Sequence, residues 1–472
     1  MFGNSIKKMS SAFMFGLQRV QGVSTNTFLL PPNGSDSAAP NGIVIFHLPA
    51  SAIVDSKRVM LHLDATTSGT NAGARLPSIQ SLISRVTVSI GGVQVSSGHS
   101  YHNAMLAAKQ AIMKNKIDSV SGHKDFARDI SPVDGSALAT TGNEVFTPGQ
   151  RLFAVPLLDH LELQPQYLDT SLVGTVEVSI QFADTSVLSS VAGVTLPGSE
   201  VDAGAVRTTN FDLDGAGNAS YSVSNLRLSV PVVAFAGSFY DEMIQSRLSS
   251  QQFIEYQFKN IFASQHSHNT STTVSVSTQS LDRIWTAFRA TGFATQGAPV
   301  PVTGGKQALN KGLATAEATV VNTLGVDPGK SIFPNGEEKY NPKAFNFAEP
   351  LTAGKASVLL QLQVNGVNMP QSACTSAEAY AITKANVLGG SYHCEDRMAL
   401  SQYRDNYYVQ CLARLNLSDG EYERILSGCD FRGSSGSVTL TTSNTDTSDL
   451  LIFLECSSTM RVGSGRAIEV VV

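Results

Sequence analysis

The sequence has few charged residues and no concentration of positive charge. Of its 472 residues, 15% are charged, against about 25% in average soluble domains. Lysine and arginine total 33 against 38 acidic residues, which gives a net charge of −5. Because no basic tail or stripe is available to neutralise a polyphosphate, bulk electrostatic binding to nucleic acid is excluded, and no direct sequence-specific nucleic-acid binding is expected.

Long hydrophobic runs are also missing. No segment approaches the roughly 18 uninterrupted apolar residues of a membrane-spanning helix. The longest candidate near the start, Met9–Leu17, follows Lys7 and Lys8 but lacks a small-residue cleavage site, so it is a weak match to a signal peptide. The sequence therefore predicts a protein that is soluble or assembles from soluble subunits.

The same N-terminal segment is amphipathic. Phe13, Phe15 and Leu17 lie close to Arg19 and to two lysines. Such a segment is either a flexible arm or an arm that docks on a membrane or on a neighbouring subunit.

Cysteine is scarce and unevenly placed. The five cysteines all lie in the last quarter of the chain, and no two have the close spacing of a zinc ribbon or a redox motif. They are interpreted as mostly buried thiols of a protein made in a reducing compartment. They are Cys374, Cys394, Cys411, Cys429 and Cys456.

What the sequence does contain is alternating apolar and polar residues. The segment Val176–Phe182 alternates strictly and puts four apolar side chains on one face, as a half-buried β-strand does. Glycine, proline, asparagine and aspartate cluster between segments of this kind, which is typical of short antiparallel strands in β-sandwiches. Further strands are predicted at 43–48, 59–63, 86–90, 226–232, 254–258, 358–364, 438–440, 450–454 and 468–472.

Only two segments have a clear helical pattern. After Ser100, the apolar residues Tyr101, Met105, Ala108 and Ile112 form one stripe, which predicts a helix over 100–117. Thr375 and Glu378 have the spacing of a capping box, which predicts a second helix over 375–388. The segment 281–288, which holds the only tryptophan, is compatible with either a short helix or a strand.

The length exceeds the roughly 250–300 residues at which one hydrophobic core stops growing, so two domains are expected. Glycine, alanine, aspartate and asparagine crowd the region before residue 220. The sequence predicts an N-terminal arm over 1–25, a first β-domain over 26–200, a linker over 201–220 and a second β-domain over 221–472. The second domain carries a long irregular loop over 290–354, which is too long for an ordinary connection.

The two halves repeat one pattern. Val86–Ile90 is followed by Gly91-Gly92 and then by the first helix, and Leu360–Val364 is followed by Asn365-Gly366 and then by the second helix. Both dipeptides suit two-residue hairpin turns, which need positive φ. The common order predicts two copies of one β-fold.

Several short motifs resemble one known family. They are Val155–Leu158 and Val173–Val178 in the first half, and Ser280–Arg289 and Leu362–Val367 in the second, where a long loop separates them. Their order resembles that of the double jelly-roll major capsid proteins of tailless icosahedral DNA viruses, the adenovirus-type lineage. The resemblance spans about residues 40 to 470 and rests on order, length and duplication.

The resemblance implies an all-β fold of two tandem jelly-roll sandwiches with a few short helices. It implies a structural virion protein and not an enzyme, without cofactor, metal or catalytic residues. Homotrimers would form pseudo-hexagonal capsomers, whose partners would be neighbouring capsomers, penton or minor capsid proteins and an inner membrane reached by the arm. The loop 290–354 would project outward. Capsid interface candidates are Phe13, Phe15, Leu17, Arg19, Tyr101, Met105 and Tyr380.

Three residue groups with possible chemistry have simpler explanations. His266 and His268 lie two apart but lack a third ligand nearby. The segment 212–218 fails the EF-hand pattern at its fifth and twelfth positions and is interpreted as a solvated turn. Residues 393–396 combine histidine, cysteine and two carboxylates, but nothing orders them into a triad.

The alternative function is a secreted two-module carbohydrate-binding protein or glycanase, because such modules are also jelly rolls. Sugar sites usually use exposed aromatic platforms, whereas this chain has one tryptophan and 7% aromatic residues. The composition therefore disfavours this alternative.

Overall fold

The computed structural model describes thirteen continuous stretches of the chain. They are residues 23–68, 79–96, 98–113, 153–187, 220–235, 239–267, 270–289, 347–388, 403–404, 407–416, 428–432, 436–463 and 467–471, together with 293, 300–301, 340–341, 345 and 400. The expected arm residues Phe13, Phe15, Leu17 and Arg19 lie outside them.

The described residues of the N-terminal part of the chain form ten strands and two helices. The strands are β1 (Val23–Leu30), β2 (Ile43–His47), β3 (Ile53–Asp55), β4 (Met60–Ser68), β5 (Ile83–Ile90), β6 (Val93–Ser96), β7 (Phe153–Pro156), β8 (Tyr167–Asp169), β9 (Val176–Phe182) and β10 (Ser220–Phe235). The helices are α1 (His102–Met113) and α2 (Thr170–Val173), and short 3-10 turns cover Ser56–Arg58, Ile79–Leu82, Asp159–Leu161 and Thr185–Val187.

The C-terminal part repeats this composition. A helix, α3 (Phe239–Gln251), precedes the strands β11 (Phe253–Ser267), β12 (Ser271–Val276), β13 (Leu281–Arg289), β14 (Val300–Pro301), β15 (Tyr340–Asn341), β16 (Leu359–Val364), β17 (Val367–Thr375), β18 (Val409–Arg414), β19 (Gly436–Ser443), β20 (Asp449–Gly463) and β21 (Ile468–Val471). The helix α4 (Ser376–Leu388) lies between β17 and β18.

Strand order confirms that the two parts are copies of one fold. In the first part, β10 lies between β1 and β4, with β7 next to β4, and the opposing sheet has the order β2-β9-β5-β6. In the second part the orders are β11-β20-β13-β18 and β12-β19-β16-β17. The order β1-β10-β4-β7 thus corresponds to β11-β20-β13-β18, and β2-β9-β5-β6 corresponds to β12-β19-β16-β17. In each part, two facing four-stranded antiparallel sheets form a jelly roll. We call these units the first roll and the second roll.

The strand β9 shows how the alternating pattern forms a core. Val176, Val178, Ile180 and Phe182 are each at most 1% exposed, and the polar residues between them face outward. They meet apolar side chains from the opposing sheet, including those of Leu61 on β4. Burial of one face of each sheet therefore stabilises the first roll, as the sequence predicted.

Both predicted hairpin turns are present. Gly91 and Gly92 have φ of 58° and 82°, and Asn365 and Gly366 have φ of 47° and 81°. These are the positive values that two-residue turns require, and they join β5 to β6 and β16 to β17. The two turns occupy equivalent positions in the duplicated fold.

The two rolls exchange core residues. Tyr256, Phe258, Met460 and Val462, at the paired ends of β11 and β20, belong to the core of the first roll. In return, the apolar stripe of α1 enters the core cluster of the second roll. Each core is therefore completed by the other half of the chain.

Strand pairing places the change from first to second roll later than the sequence predicted. β10 pairs with β1, β3 and β4, so Ser220–Phe235 belongs to a sheet of the first roll, although the second was expected to begin at 221. β1 begins at Val23, inside the expected arm 1–25. The sequence missed both boundaries because β1 is largely exposed and does not alternate between apolar and polar residues, and because β10 follows the irregular segment.

Other expected elements have definite outcomes. The helix expected over 100–117 begins at His102 and is described as far as Met113, and that expected over 375–388 is α4. The ambiguous segment 281–288 is the strand β13. The sequence did not predict α3, whose side chains are largely exposed. Most of the loop 290–354 lies outside the described residues, and β14 pairs with β15 within it.

Candidate functional site: the junction between the rolls

The clearest concentration of buried polar chemistry lies where the two rolls meet. The second roll contributes the outer face of its β11-β20-β13-β18 sheet. The first roll contributes the residues before α1, α1 itself and the 3-10 turn Asp159–Leu161. We call this region the roll junction.

The outer face of the sheet can be identified from the strand register. Trp285 of β13 is paired with Phe453 of β20, so the two side chains are on the same face. Glu455 lies two residues further along β20 and shares that face because strand side chains alternate. All three are at most 1% exposed. The sheet is therefore buried on both faces, one against its own core and one against the first roll.

The helix α1 lies in the roll junction by virtue of its apolar stripe. Ala104, Met105, Ala108 and Ile112 are each at most 1% exposed and belong to the core cluster of the second roll. The apolar stripe predicted from the sequence is confirmed, but it packs against the second roll of the same chain and not against another subunit. Met105, an expected contact with another subunit, is thus covered within its own chain.

Tyr101 is also engaged within the chain. Its hydroxyl donates a hydrogen bond of 2.9 Å to Oε1 of Gln265 on β11. The guanidinium of Arg289, at the end of β13, lies 5.8 Å from the centre of the Tyr101 ring. Burial lowers the pKa of Arg289 to about 9, against the opposing influence of Tyr101 and Asp449. Tyr101 therefore joins the first roll to two strands of the second.

A buried carboxylate carries the main ionic contact of the roll junction. Oε1 of Glu455 lies 3.4 Å from Nζ of Lys109 on α1, and Oε2 accepts a hydrogen bond of 3.1 Å from Nε1 of Trp285. Burial alone would raise the pKa of Glu455. The charges of Lys109, Arg283 and Lys259, with the Trp285 bond, outweigh burial and lower the pKa to about 2. Glu455 is consequently an anion that links the rolls.

A second buried carboxylate lies nearby on the second roll. Asp282 accepts hydrogen bonds from Lys259, from the hydroxyl of Ser457 at 2.5 Å and from the hydroxyl of Ser280 at 2.9 Å. Its side chain is 3% exposed. Its hydrogen-bond partners lie on β11, on β20 and directly before β13, so this buried group ties these strands together.

The two helices also meet at the roll junction. Nζ of Lys384 on α4 donates a hydrogen bond of 3.3 Å to the carbonyl oxygen of Ile112, near the end of α1. The ring of Tyr380, another expected interface residue, lies 4.4 Å from that of Tyr403. Tyr380 is half-buried and belongs to the surroundings of the second core. Whether Tyr101 or Tyr380 also contacts another subunit stays a prediction.

The residues missed by the sequence analysis are Lys109, Glu455 and the histidines near α1. One signal was present for Glu455: it interrupts the apolar segment Leu450–Leu454 just before Cys456. A single carboxylate in such a segment is typically buried with a partner, because an unpaired buried charge is costly. The partner, Lys109, is too distant in sequence to be identified from a pattern.

The predicted buried thiols are confirmed among the described cysteines. Cys374, Cys411 and Cys456 are free and buried, and Cys429 is free and half-buried. Burial raises the pKa of Cys374 to about 11 and those of Cys411 and Cys456 to about 12, which makes these thiols poor nucleophiles. Cys394 lies outside the described residues.

The remaining sequence candidates do not form a site in the described part of the chain. Nε2 of His266 lies 3.1 Å from the hydroxyl of Ser264, whereas His268 and the segments 212–218 and 393–396 lie outside that part. No group of three metal-ligating side chains occurs among the described residues. None of the helices in those ranges is both long enough and apolar enough to cross a bilayer.

Comparison with solved structures gives the class to which this fold belongs. The chain is similar to one from the capsid of the virus PBCV-1, with 16% identity, a TM-score of 0.54 and coverage of 95% of this chain and 97% of the other. It is also similar to PBCV-1 VP54, fitted into a reconstruction of the virophage Sputnik, with 15% identity, a TM-score of 0.55 and the same coverage. The fold is the double jelly roll of viral major capsid proteins.

No protein-family model matches the sequence, and no curated protein matches it. Both structures described above come from virus particles or their coat proteins. The comparisons therefore give no support to the alternative of a carbohydrate-binding protein or glycanase.

Proposed function

We propose that this chain is the major capsid protein of an icosahedral virus, with a structural and not an enzymatic role. The observation that carries the proposal is similarity of fold to PBCV-1 capsid proteins over nearly the whole of both chains. Its place is the virion, and its first partner is a second copy of itself.

The homotrimer is inferred from a difference between the two rolls. In the second roll, the outer face of the β11-β20-β13-β18 sheet is covered by α1 and its neighbours. In the first roll, the equivalent face of β1, β10 and β4 is open in the described residues. There Thr27, Leu29 and Arg227 are exposed, and Val233 is half-buried.

Because the fold is duplicated, the second roll of another copy is a suitable partner for this open face. The first roll covers the second within one chain, so the second roll of one copy would cover the first roll of the next. A repeated head-to-tail contact of this kind closes into a ring when the rotation between copies is suitable. Three chains would give six similar rolls in a pseudo-hexagonal capsomer.

Other surfaces of the capsomer remain proposals of the same kind. The arm before β1 would face the shell interior, where an inner membrane, a minor capsid protein or an adjacent capsomer would be its partner. The insertion between β13 and β16 would project from the outer surface only before residue 345, because Phe345 and Phe347, near the end of the expected loop 290–354, are buried in the two cores. Side contacts with neighbouring capsomers and pentons would complete the shell.

Light scattering and negative-stain microscopy of the purified chain test the proposal. We expect a particle of about 150 kDa, three times the chain mass of 50.0 kDa, with a six-cornered outline. A substitution of the open face, Leu29→Glu, should yield folded 50.0 kDa monomers because it places a charge in the inferred contact. The control Lys355→Glu changes charge at an exposed turn away from that face and should leave the trimer intact.

A monomer as the only species of the unmodified chain would contradict the trimer. A trimer that forms equally well with Leu29→Glu would contradict the assignment of the open face, while leaving the trimer itself supported. Circular dichroism of both variants separates loss of assembly from loss of folding.

A further inference from the structure

Three histidine rings contact one another at the roll junction. The rings of His102 and His160 are 4.8 Å apart with an edge-to-face arrangement, and those of His99 and His102 are 6.2 Å apart. His99 also lies 6.0 Å from the ring of Phe453 on β20 of the second roll. We call these three residues the histidine cluster.

The cluster is held by two segments of the first roll, one of which supplies both His99 and His102. His99 follows β6, His102 is the first residue of α1, and His160 lies in the 3-10 turn Asp159–Leu161. His102 is 8% exposed, and the other two are half-buried. Because the second roll covers the cluster, its contact with water depends on whether the rolls stay together.

The charges that face the cluster are mainly positive. Lys109 of α1 opposes protonation of all three histidines, and Arg85 of β5 opposes protonation of His99. The carboxylate of Glu455 on β20 is engaged by Lys109, and Glu162, after the 3-10 turn, lies within the electrostatic reach of both groups. A proton on the cluster would thus add a positive charge close to those of Lys109 and Arg85.

Burial is the main cause that lowers the pKa of each ring, and Lys109 lowers all three further; for His99 and His102 the neighbouring histidines also contribute. Together these causes lower the pKa of His99 to about 3 and that of His102 well below its ordinary value. For His160 the pKa falls to about 4, although a hydrogen bond of 2.9 Å with the carbonyl of Leu157 opposes the change. Since a carbonyl only accepts, neutral His160 carries its proton on Nδ1 and donates that bond.

We propose that the histidine cluster makes the roll junction acid-sensitive, so that the two rolls separate more readily as the pH falls from 7 to 5. When the junction is closed, the rings stay neutral. When it opens, they gain water and regain ordinary affinity for protons, so acid favours the open arrangement.

The direction and size follow from proton linkage. A histidine whose pKa is lowered in the closed state binds more protons in the open state below about pH 6.5, so closure loses stability as the pH falls. Between pH 7 and pH 5, each such histidine shifts the equilibrium toward opening by about 25-fold. Glu455 adds little in this range, because its carboxylate is ionised in both states above about pH 5. Burial raises the pKa of Glu162 in the closed state, so this single carboxyl opposes the effect of the three histidines.

The single tryptophan provides the measurement. Trp285 is 1% exposed in the roll junction and donates to Glu455, so its emission should shift to longer wavelength when the junction opens. The urea concentration that shifts the emission of the full chain is measured from pH 7.5 to pH 5. We expect it to fall with pH in the unmodified chain.

The variant His102→Phe keeps an aromatic ring but cannot be protonated. The pH-dependent change in its opening equilibrium should be smaller than that of the unmodified chain by at least about tenfold. His160→Asn is the second variant, for use if His102→Phe fails to fold. Its side-chain amide retains a donor for the Leu157 carbonyl, and its pH dependence should be reduced by the same amount. His47→Asn, at an exposed site on β2 away from the roll junction, is the matched control and should keep the full dependence.

Two results would overturn the proposal: no fall in the urea midpoint of the unmodified chain, or an equal fall in a folded cluster variant. Either is independent of the capsid function, because the measurement concerns opening within one chain. A loss of pH dependence in His47→Asn would also contradict the assignment to the cluster.

Discussion

Lys109 of the first roll and Glu455 of the second form an ion pair across the roll junction, with Nζ and Oε1 3.4 Å apart. The substitution Glu455→Gln removes the charge and leaves the ammonium of Lys109 without its partner. Loss of one member of a buried ion pair costs about 3–5 kcal/mol, so the free energy of unfolding should fall by about 3 kcal/mol. Urea unfolding followed by Trp285 fluorescence measures the change.

The matched control is Glu255→Gln at the exposed pair with Arg461, where the two charged atoms are 2.9 Å apart. Exposed ion pairs contribute less than about 1 kcal/mol, so this variant should remain close to the unmodified chain. Equal losses in the two variants would show that the pair of Lys109 and Glu455 does not link the rolls.

The turn between β5 and β6 allows a test of contact with the C-terminal strand. A Cβ atom on Gly91 would lie 2.6 Å from Cδ1 of Ile468 and 2.9 Å from the carbonyl oxygen of Val173, whereas one on Gly92 would meet nothing within 4 Å. Both residues have positive φ, so Gly92→Ala should cost about 1 kcal/mol from backbone strain alone. Gly91→Ala should cost a further 1–3 kcal/mol or so by crowding. Thermal unfolding compares them, and equal losses would contradict the close approach of β21.

The capping box of α4 makes a local prediction. The backbone N–H of Thr375 donates to Glu378 at 2.8 Å, and the Thr375 hydroxyl accepts a longer bond from the N–H of Glu378. Thr375→Ala should lower the free energy of unfolding by about 1 kcal/mol, because it leaves a helix N–H without its acceptor. Ser372→Ala, at an exposed position of β17, should leave it unchanged within error in the same urea experiment. If Thr375→Ala left the free energy of unfolding unchanged, the Thr375 cap would not be needed for the stability of α4.

Deletion of residues 2–20 tests the proposed role of the arm. The deleted segment precedes β1, so it removes no described strand, and the isolated trimer should form normally. Assembly of shells should be impaired, because the arm is expected to contact a membrane or a neighbouring capsomer. Electron microscopy of assembled material compares the two chains, and normal particles from the truncated chain would rule out this role.

Limited proteolysis tests the loop 290–354. If the loop projects from the outer surface, cleavage inside it should leave the trimer intact, because the core strands β13 and β16 flank the insertion. Light scattering after a single cut, checked by mass spectrometry, gives the result. Dissociation after that cut would show that the loop holds the trimer together.

The sequence predicted the strand β9, left β13 ambiguous and missed β1. β9 alternates because only one of its faces meets the core, so its pattern was unambiguous. β13 is buried nearly throughout, since the first roll covers its outer face, and its apolar sequence was compatible with a helix. β1 is exposed almost throughout at the edge of its sheet, and its polar residues Ser24–Thr27 are grouped before Phe28, so no alternation marked it as a strand.

Local signals also could not identify partners that are distant in sequence. The apolar stripe of α1 correctly indicated burial of Met105, but nothing in the pattern distinguished a second subunit from the second roll of the same chain. The same holds for the histidine cluster, because His160 is distant in sequence from His99 and His102. The duplication could be predicted from the sequence because turns and helix caps are encoded by neighbouring residues. The roll junction could not be predicted, because it depends on packing between residues that are distant in sequence.

The exchange of core residues has a consequence for synthesis. Domains made on the ribosome commonly fold as units, with the N-terminal one first. Here Met460 and Val462, which belong to the core of the first roll, are translated after the strands β11 to β19 of the second roll. The first roll therefore completes its core only after most of the second roll has been translated, and a nascent chain halted between the rolls would expose apolar surface to chaperones.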